Sequence, residues 1–121
     1  MPVPKRTKIE LLLSDDAESE VSKPFMQGMV NRMMVSLHKY GKVADAYPAK
    51  VNAIDSLQQR LTRYAETGNI EFLMDVGNFA MIEFMHPAHP NAFFEGTDSD
   101  QSPGRTTQSG EITVSDNKDI T

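Results

Sequence analysis

The chain has no cysteine. That excludes a disulfide frame and any cysteine-built zinc site, and it fits a reducing compartment. Long apolar runs are also missing, so no stretch has the length of a membrane span. The first residues, MPVPKRTK, lack the apolar centre of a secretory signal. Basic residues are in the minority: 12 Lys and Arg against 17 Asp and Glu leave a net charge of −5. Such a balance argues against general nucleic-acid binding and against a membrane surface. There is no glycine-rich phosphate loop, no Gly-x-Ser-x-Gly and no His-Glu-x-x-His. What these absences leave is a soluble protein of the cytoplasm, and its 121 residues suffice for one domain.

The most apolar stretch runs from Asn69 to His86, NIEFLMDVGNFAMIEFMH. It predicts a central helix, apolar on nearly all sides. Glu71, Asp75 and Asn78 interrupt it at i, i+4 and i+7, so they share one stripe. A carboxylate buried without a partner costs several kcal/mol, so something must compensate Asp75. Either Asp75 pairs with Arg60 or Arg63 while Asn78 bonds a neighbouring helix, or the stripe lines a ligand or metal cleft. Glu83 lies well off the stripe and is expected to face solvent or another subunit.

Two further helices are expected before it. Ser22 can cap the first and Pro24 fits its first turn. Phe25, Met26, Met29, Val30, Met33, Met34 and Leu37 form its apolar face, and Gly41 stops it. A connector, KYGKVADAYPAK, follows. Its lysines and tyrosines suit either an ordinary polar loop or a nucleotide contact. The second helix is expected from about Ala49 to about Glu66, with Val51, Ile54, Leu57, Leu61 and Tyr64 inward. Gly68 closes it and Asn69 can cap the next, so the last two helices are antiparallel neighbours. Pro87 ends the last helix. His86 and His89 are three apart, but the prolines between and after them impose an extended path and no third ligand is near.

Around these helices the expected organisation is an arm and acidic linker over 1–21, a helical domain over 22–94, and a flexible polar tail over 95–121. In the arm, Ile9–Leu13 (IELLL) is an apolar run too short to assign: a strand, a helical turn, or a segment that docks on the core. Ser14–Glu20 reads as a solvated acidic loop. In sum the chain is expected to be all-α, a small three- to four-helix bundle. So small a helical unit is expected to complete its core as a homo-oligomer.

The order Lys39-Tyr40-Gly41, then Arg60-Leu61, then Asp75-x-x-Asn78-Phe79 resembles small phage-associated nucleotide-modification domains over about residues 25–84. Those are in turn similar to the all-α, MazG-like nucleoside triphosphate pyrophosphohydrolases. The string from Glu66 to Phe94 also resembles a family of short proteins from actinobacteria and their phages. The resemblance implies a nucleotide or other small phosphorylated ligand, held by Lys39, Tyr40, Arg60, Arg63, Glu71, Asp75 and Asn78 in the cytoplasm of a phage host. It also implies magnesium on Glu71 and Asp75, which would assist attack of water on a pyrophosphate. The sequence departs from that family in two places. The first helix, PFMQGMVNRMMVSLHKYG, has no carboxylate, and the acidic pair is spaced Glu71-x-x-x-Asp75 rather than with two residues between. Half of the metal cage is missing unless another chain supplies it. The competing expectation is a non-enzymatic protein–protein interaction factor, such as a phage-encoded inhibitor or assembly protein.

Overall fold

A computed structural model describes residues 5–97. The expected tail falls almost wholly outside them, as do residues 1–4. Among the described residues all regular structure is helical: a short 3-10 helix at Asp15–Glu20, then α1 (Lys23–Tyr40), α2 (Val43–Ala46), α3 (Ala53–Thr67) and α4 (Glu71–Met85). None of these helices is long and apolar enough to cross a membrane.

The helix ends follow from local chemistry. The Ser22 hydroxyl accepts the Phe25 N–H at 3.1 Å, and Pro24 occupies the first turn of α1, where a missing N–H costs nothing. Gly41 closes α1 at φ 87°, a backbone conformation that side chains disfavour, and donates its N–H to the Leu37 carbonyl. Asn52 opens α3: its Oδ1 accepts from Ile54 and Asp55 at 2.9 and 3.2 Å. Gly68 ends α3 in the left-handed region. Asn69 does cap α4, from one residue further out than the usual position, with its Oδ1 accepting the Glu71 N–H at 3.1 Å.

α3 begins four residues later than the periodicity predicts. The connector forms its own helical turn, α2, and the N–H groups of Lys50 and Val51 both return to the Ala46 carbonyl at 2.9 and 3.0 Å. Those bonds hold 47–51 out of a helix until Asn52 supplies a cap. The acidic stretch expected as a loop is the 3-10 helix, with one surface pair between Lys23 and Glu18 at 3.5 Å. Ile9–Leu13 is neither strand nor helix and does not dock: every residue from 5 to 14 is exposed.

The short link Gly68–Ile70 folds α4 back along α3, and these two helices share the largest interface. α1 crosses α4 where glycines face each other's methionines. A Cβ on Gly28 would stand 2.5 Å from Met74 Cε, and one on Gly77 would stand 2.9 Å from Met29 Sδ. The two glycines thus set how closely the backbones approach. α4 is central, as predicted, but its surroundings are thin. Among the described residues only Ala53, Ile82 and Asn78 are buried, and no large side chain is completely enclosed. At the far end of α4, Phe84 is 77% exposed. The helix that reads as apolar on all sides is therefore covered on part of its circumference only.

Candidate functional site

The polar stripe of α4 meets two arginines. Glu71 and Asp75 are one turn apart on one face, so their carboxylates lie side by side. Arg32 reaches across from α1 and forks between them. Its Nε donates to Asp75 Oδ1 at 2.7 Å, its Nη2 to Asp75 Oδ2 at 3.3 Å, and its Nη1 to Glu71 Oε1. Arg60 of α3 adds a third donor, Nε to Asp75 Oδ2 at 3.3 Å, and its guanidinium lies 5.9 Å from the centre of the Phe79 ring. Asp75 is thus pinned from both neighbouring helices. Two-point contact of a planar guanidinium with a carboxylate is the strong form of this bond. The Arg32 pKa is raised, first by the hydrogen bond to Asp75 against the opposing effect of desolvation, with Glu71 adding to the rise. The pairing therefore favours the charged form of Arg32.

Arg32 is the group that the sequence reading missed. It is the only charged residue between Phe25 and Leu37, and it lies one turn after Gly28. A lone cation on the row that approaches α4 is a usable signal, because such a charge needs a partner across the interface. Of the two candidates named for pairing with Asp75, Arg60 does so, whereas Arg63 has no ion-pair partner among the described residues.

Asn78 faces elsewhere. It is buried, and its Nδ2 donates to the Met29 carbonyl at 2.9 Å, which ties α4 to α1 at the glycine crossing. Its Oδ1 is buried with no hydrogen-bond partner among the described residues. Glu83 does not face solvent: its Oε1 accepts the Ala88 N–H at 2.8 Å and fastens the turn after α4 back onto that helix. His89 is engaged too, its Nδ1 accepting the Asn91 N–H at 3.0 Å.

The seven candidate ligand residues do not share one cleft. Arg60, Arg63 and Asp75, with Arg32, Asp55 and Phe72, line a wide cleft of about 950 Å³ that is open to solvent. Glu71 touches it only through Arg32. Lys39 and Tyr40 do not line it. Tyr40 lines a second groove, about 280 Å³, between the end of α1, α2 and Ile82 of α4. For magnesium the donor set matters. Both oxygens of Asp75 and one of Glu71 already accept guanidinium hydrogens, so a cation there would compete with the charges of Arg32 and Arg60. Among the described residues, no group of three or more His, Asp or Glu is placed to hold a metal ion. Comparison with known proteins finds no matching family model, no similar curated protein and no similar solved structure.

Proposed function

We propose that this chain is a non-enzymatic protein–protein interaction factor whose helical domain completes its core by self-association. One observation carries the reading. The ion pairs of Arg32 with Glu71 and Asp75 and of Arg60 with Asp75 are closed within the chain, while a set of large apolar side chains stays half to fully exposed. Leu37, Tyr40, Phe84 and Met85 are exposed on the helices, Val51 just before α3, and Ile9, Leu11 and Leu12 in the arm. Exposed apolar residues are ordinary one at a time, but so many around so small a core mark an interaction surface. Paired with arginines, Glu71 and Asp75 hold α1, α3 and α4 together. Sedimentation equilibrium of the full chain across the micromolar range tests this: the expected mass is a multiple of 13.5 kDa. A monomer throughout contradicts it.

A second reading rests on Arg63. It lines the open cleft beside Arg60 and Phe72 without an ion-pair partner among the described residues. A guanidinium so placed suits a phosphate and an aromatic face suits a base, and the resemblance to phage nucleotide-modification domains is what brings a nucleotide to mind. This reading is of binding without turnover. Calorimetry with a panel of nucleotides, with and without magnesium, tests it on wild type and Arg63→Ala; no heat with wild type ends it.

A further inference from the structure

We propose that the second groove is a binding pocket for a small amphipathic monocarboxylate, its apolar body seated on Ile82 and its carboxylate held at Lys42. This goes beyond the self-association reading and does not depend on it, since every wall of the groove comes from one chain. Met33 and Leu37 of α1, Val43 and Ala46 of α2, and Val51 line it together with Ile82 of α4, which is buried. An apolar lining with a few polar groups that fix orientation is the usual make-up of a small-molecule site. At about 280 Å³ the groove has close to twice the volume of a cavity that takes a benzene ring, about 150 Å³. An apolar body of about eight carbons fits that space.

The polar groups select the other end of the ligand. Lys42 is the only charged side chain in the lining, and it has no ion-pair partner among the described residues. Along residues 38–50 the formal charges are Lys39, Lys42 and Lys50 against Asp45, in a chain whose net charge is −5. The local excess is basic and favours an anion. Ser36, Tyr40 and Tyr47 add three hydroxyls to the lining. None of the three makes a side-chain hydrogen bond among the described residues. Ser56 and Thr67 differ, since their hydroxyls return to the carbonyls of Asn52 and Arg63 within their own helix. Ser36 and Tyr40 are one turn apart and share a face of α1. Burial raises the Tyr47 phenol, so it is a protonated donor at neutral pH. A carboxylate accepts from an ammonium and from hydroxyls alike, and a charged acceptor makes the stronger bond. A neutral head forgoes that charge, and an amine meets Lys42 with like charge.

The chain carries its own reporter: it has no tryptophan, and two of its three tyrosines, Tyr40 and Tyr47, line the pocket. Sodium octanoate is titrated into the full chain at neutral pH while tyrosine emission is followed. Octanol and octylamine serve as matched probes that lack the negative charge or reverse it. Saturable binding of octanoate is expected, at least about 10-fold tighter than that of either other probe. Lys42→Gln is expected to weaken octanoate by about 10-fold and to leave octanol unchanged. The Lys42 side chain makes no cap hydrogen bond for α2, so helical content by circular dichroism is expected to match wild type. Ala46→Leu, which fills the groove, is expected to abolish octanoate binding, and Thr62→Leu, in the other cleft, to leave it intact. No saturable signal with wild type, whatever else covers the groove, overturns the pocket. Octanoate binding that survives Ala46→Leu places the ligand elsewhere and overturns it too. Equal affinity for the three probes, or an octanoate affinity indifferent to Lys42→Gln, overturns the carboxylate at Lys42. Self-association stands or falls separately, by sedimentation.

Discussion

The two halves of α4 solve different problems. Its first half carries Glu71, Asp75 and Asn78, and each has a partner within the same chain: Arg32 for both carboxylates, Arg60 for Asp75 as well, and the Met29 carbonyl for Asn78. Its second half buries Ile82, which lines an apolar groove, and leaves Phe84 exposed and Met85 half-exposed. The asymmetry has a physical origin. A charge held away from water costs several kcal/mol without a partner, so Asp75, the less exposed of the two carboxylates, needs its arginines in place. Apolar surface costs only about 25 cal/mol per Å², so it can stay wet until another molecule covers it. Polar groups therefore specify the fold of the single chain, and apolar ones are left to specify its company.

Substitutions in the first half should act on the single chain, and those in the second half should act through association. The largest effect is expected from Asp75→Asn. It leaves Arg32 and Arg60 facing each other with one anion between them removed. Both arginines are partly exposed, so solvent screens the loss, and about 2 kcal/mol of stability is expected to disappear. Urea unfolding at low protein concentration measures it. A neutral or stabilising result would assign Asp75 to a ligand instead. Next comes Gly77→Val, which drives methyl groups toward Met29 and Phe25 at the helix crossing. Overpacking of about 1–3 kcal/mol is expected, with the Arg32–Asp75 contact disturbed as well. Gly28→Ala is the milder companion, because only the mobile end of Met74 must move and helix propensity repays about 1 kcal/mol.

Asn52→Ala removes the cap of α3 and should cost about 1 kcal/mol at every concentration. The smallest effect lies at alkaline pH. Burial raises the Tyr47 phenol above its usual 10.0, opposed by the Arg60 charge. The folded chain holds that proton more tightly than the unfolded chain. Its contribution is complete below about pH 10 and is lost as pH rises through the raised value. Tyr47→Phe should flatten that decline in a pH series of thermal melts.

Much of this was legible in the sequence. Ser22, Gly41 and Gly68 mark helix ends by local chemistry, and local chemistry needs no knowledge of the fold. The need for a compensator at Asp75 was legible for the same reason, and Arg60, 15 residues earlier on the antiparallel neighbour, was within reach of the argument. Arg32 was not found, because it is 43 residues away and meets Asp75 only through the crossing of α1 and α4 at Gly28 and Gly77. No periodicity encodes a crossing between helices that are not adjacent in the chain. Lys39 and Tyr40 do not line the cleft that Arg60 lines. They belong to the end of α1 that runs toward α2 and the second groove, and a motif order read along the chain carries no such direction. The length of α3 was misjudged because the hydrophobic period continues through 49–52, while the hydrogen bonds to Ala46 do not.

The most direct test of the division between the two halves is the melting temperature of the full chain as a function of its own concentration. An oligomer that completes the core makes melting concentration-dependent by mass action. The account predicts a midpoint that rises steadily with concentration for wild type, and an Asp75→Asn curve displaced downward by a constant amount. A midpoint that does not move with concentration would contradict it, since the single chain would then be finished without a second copy.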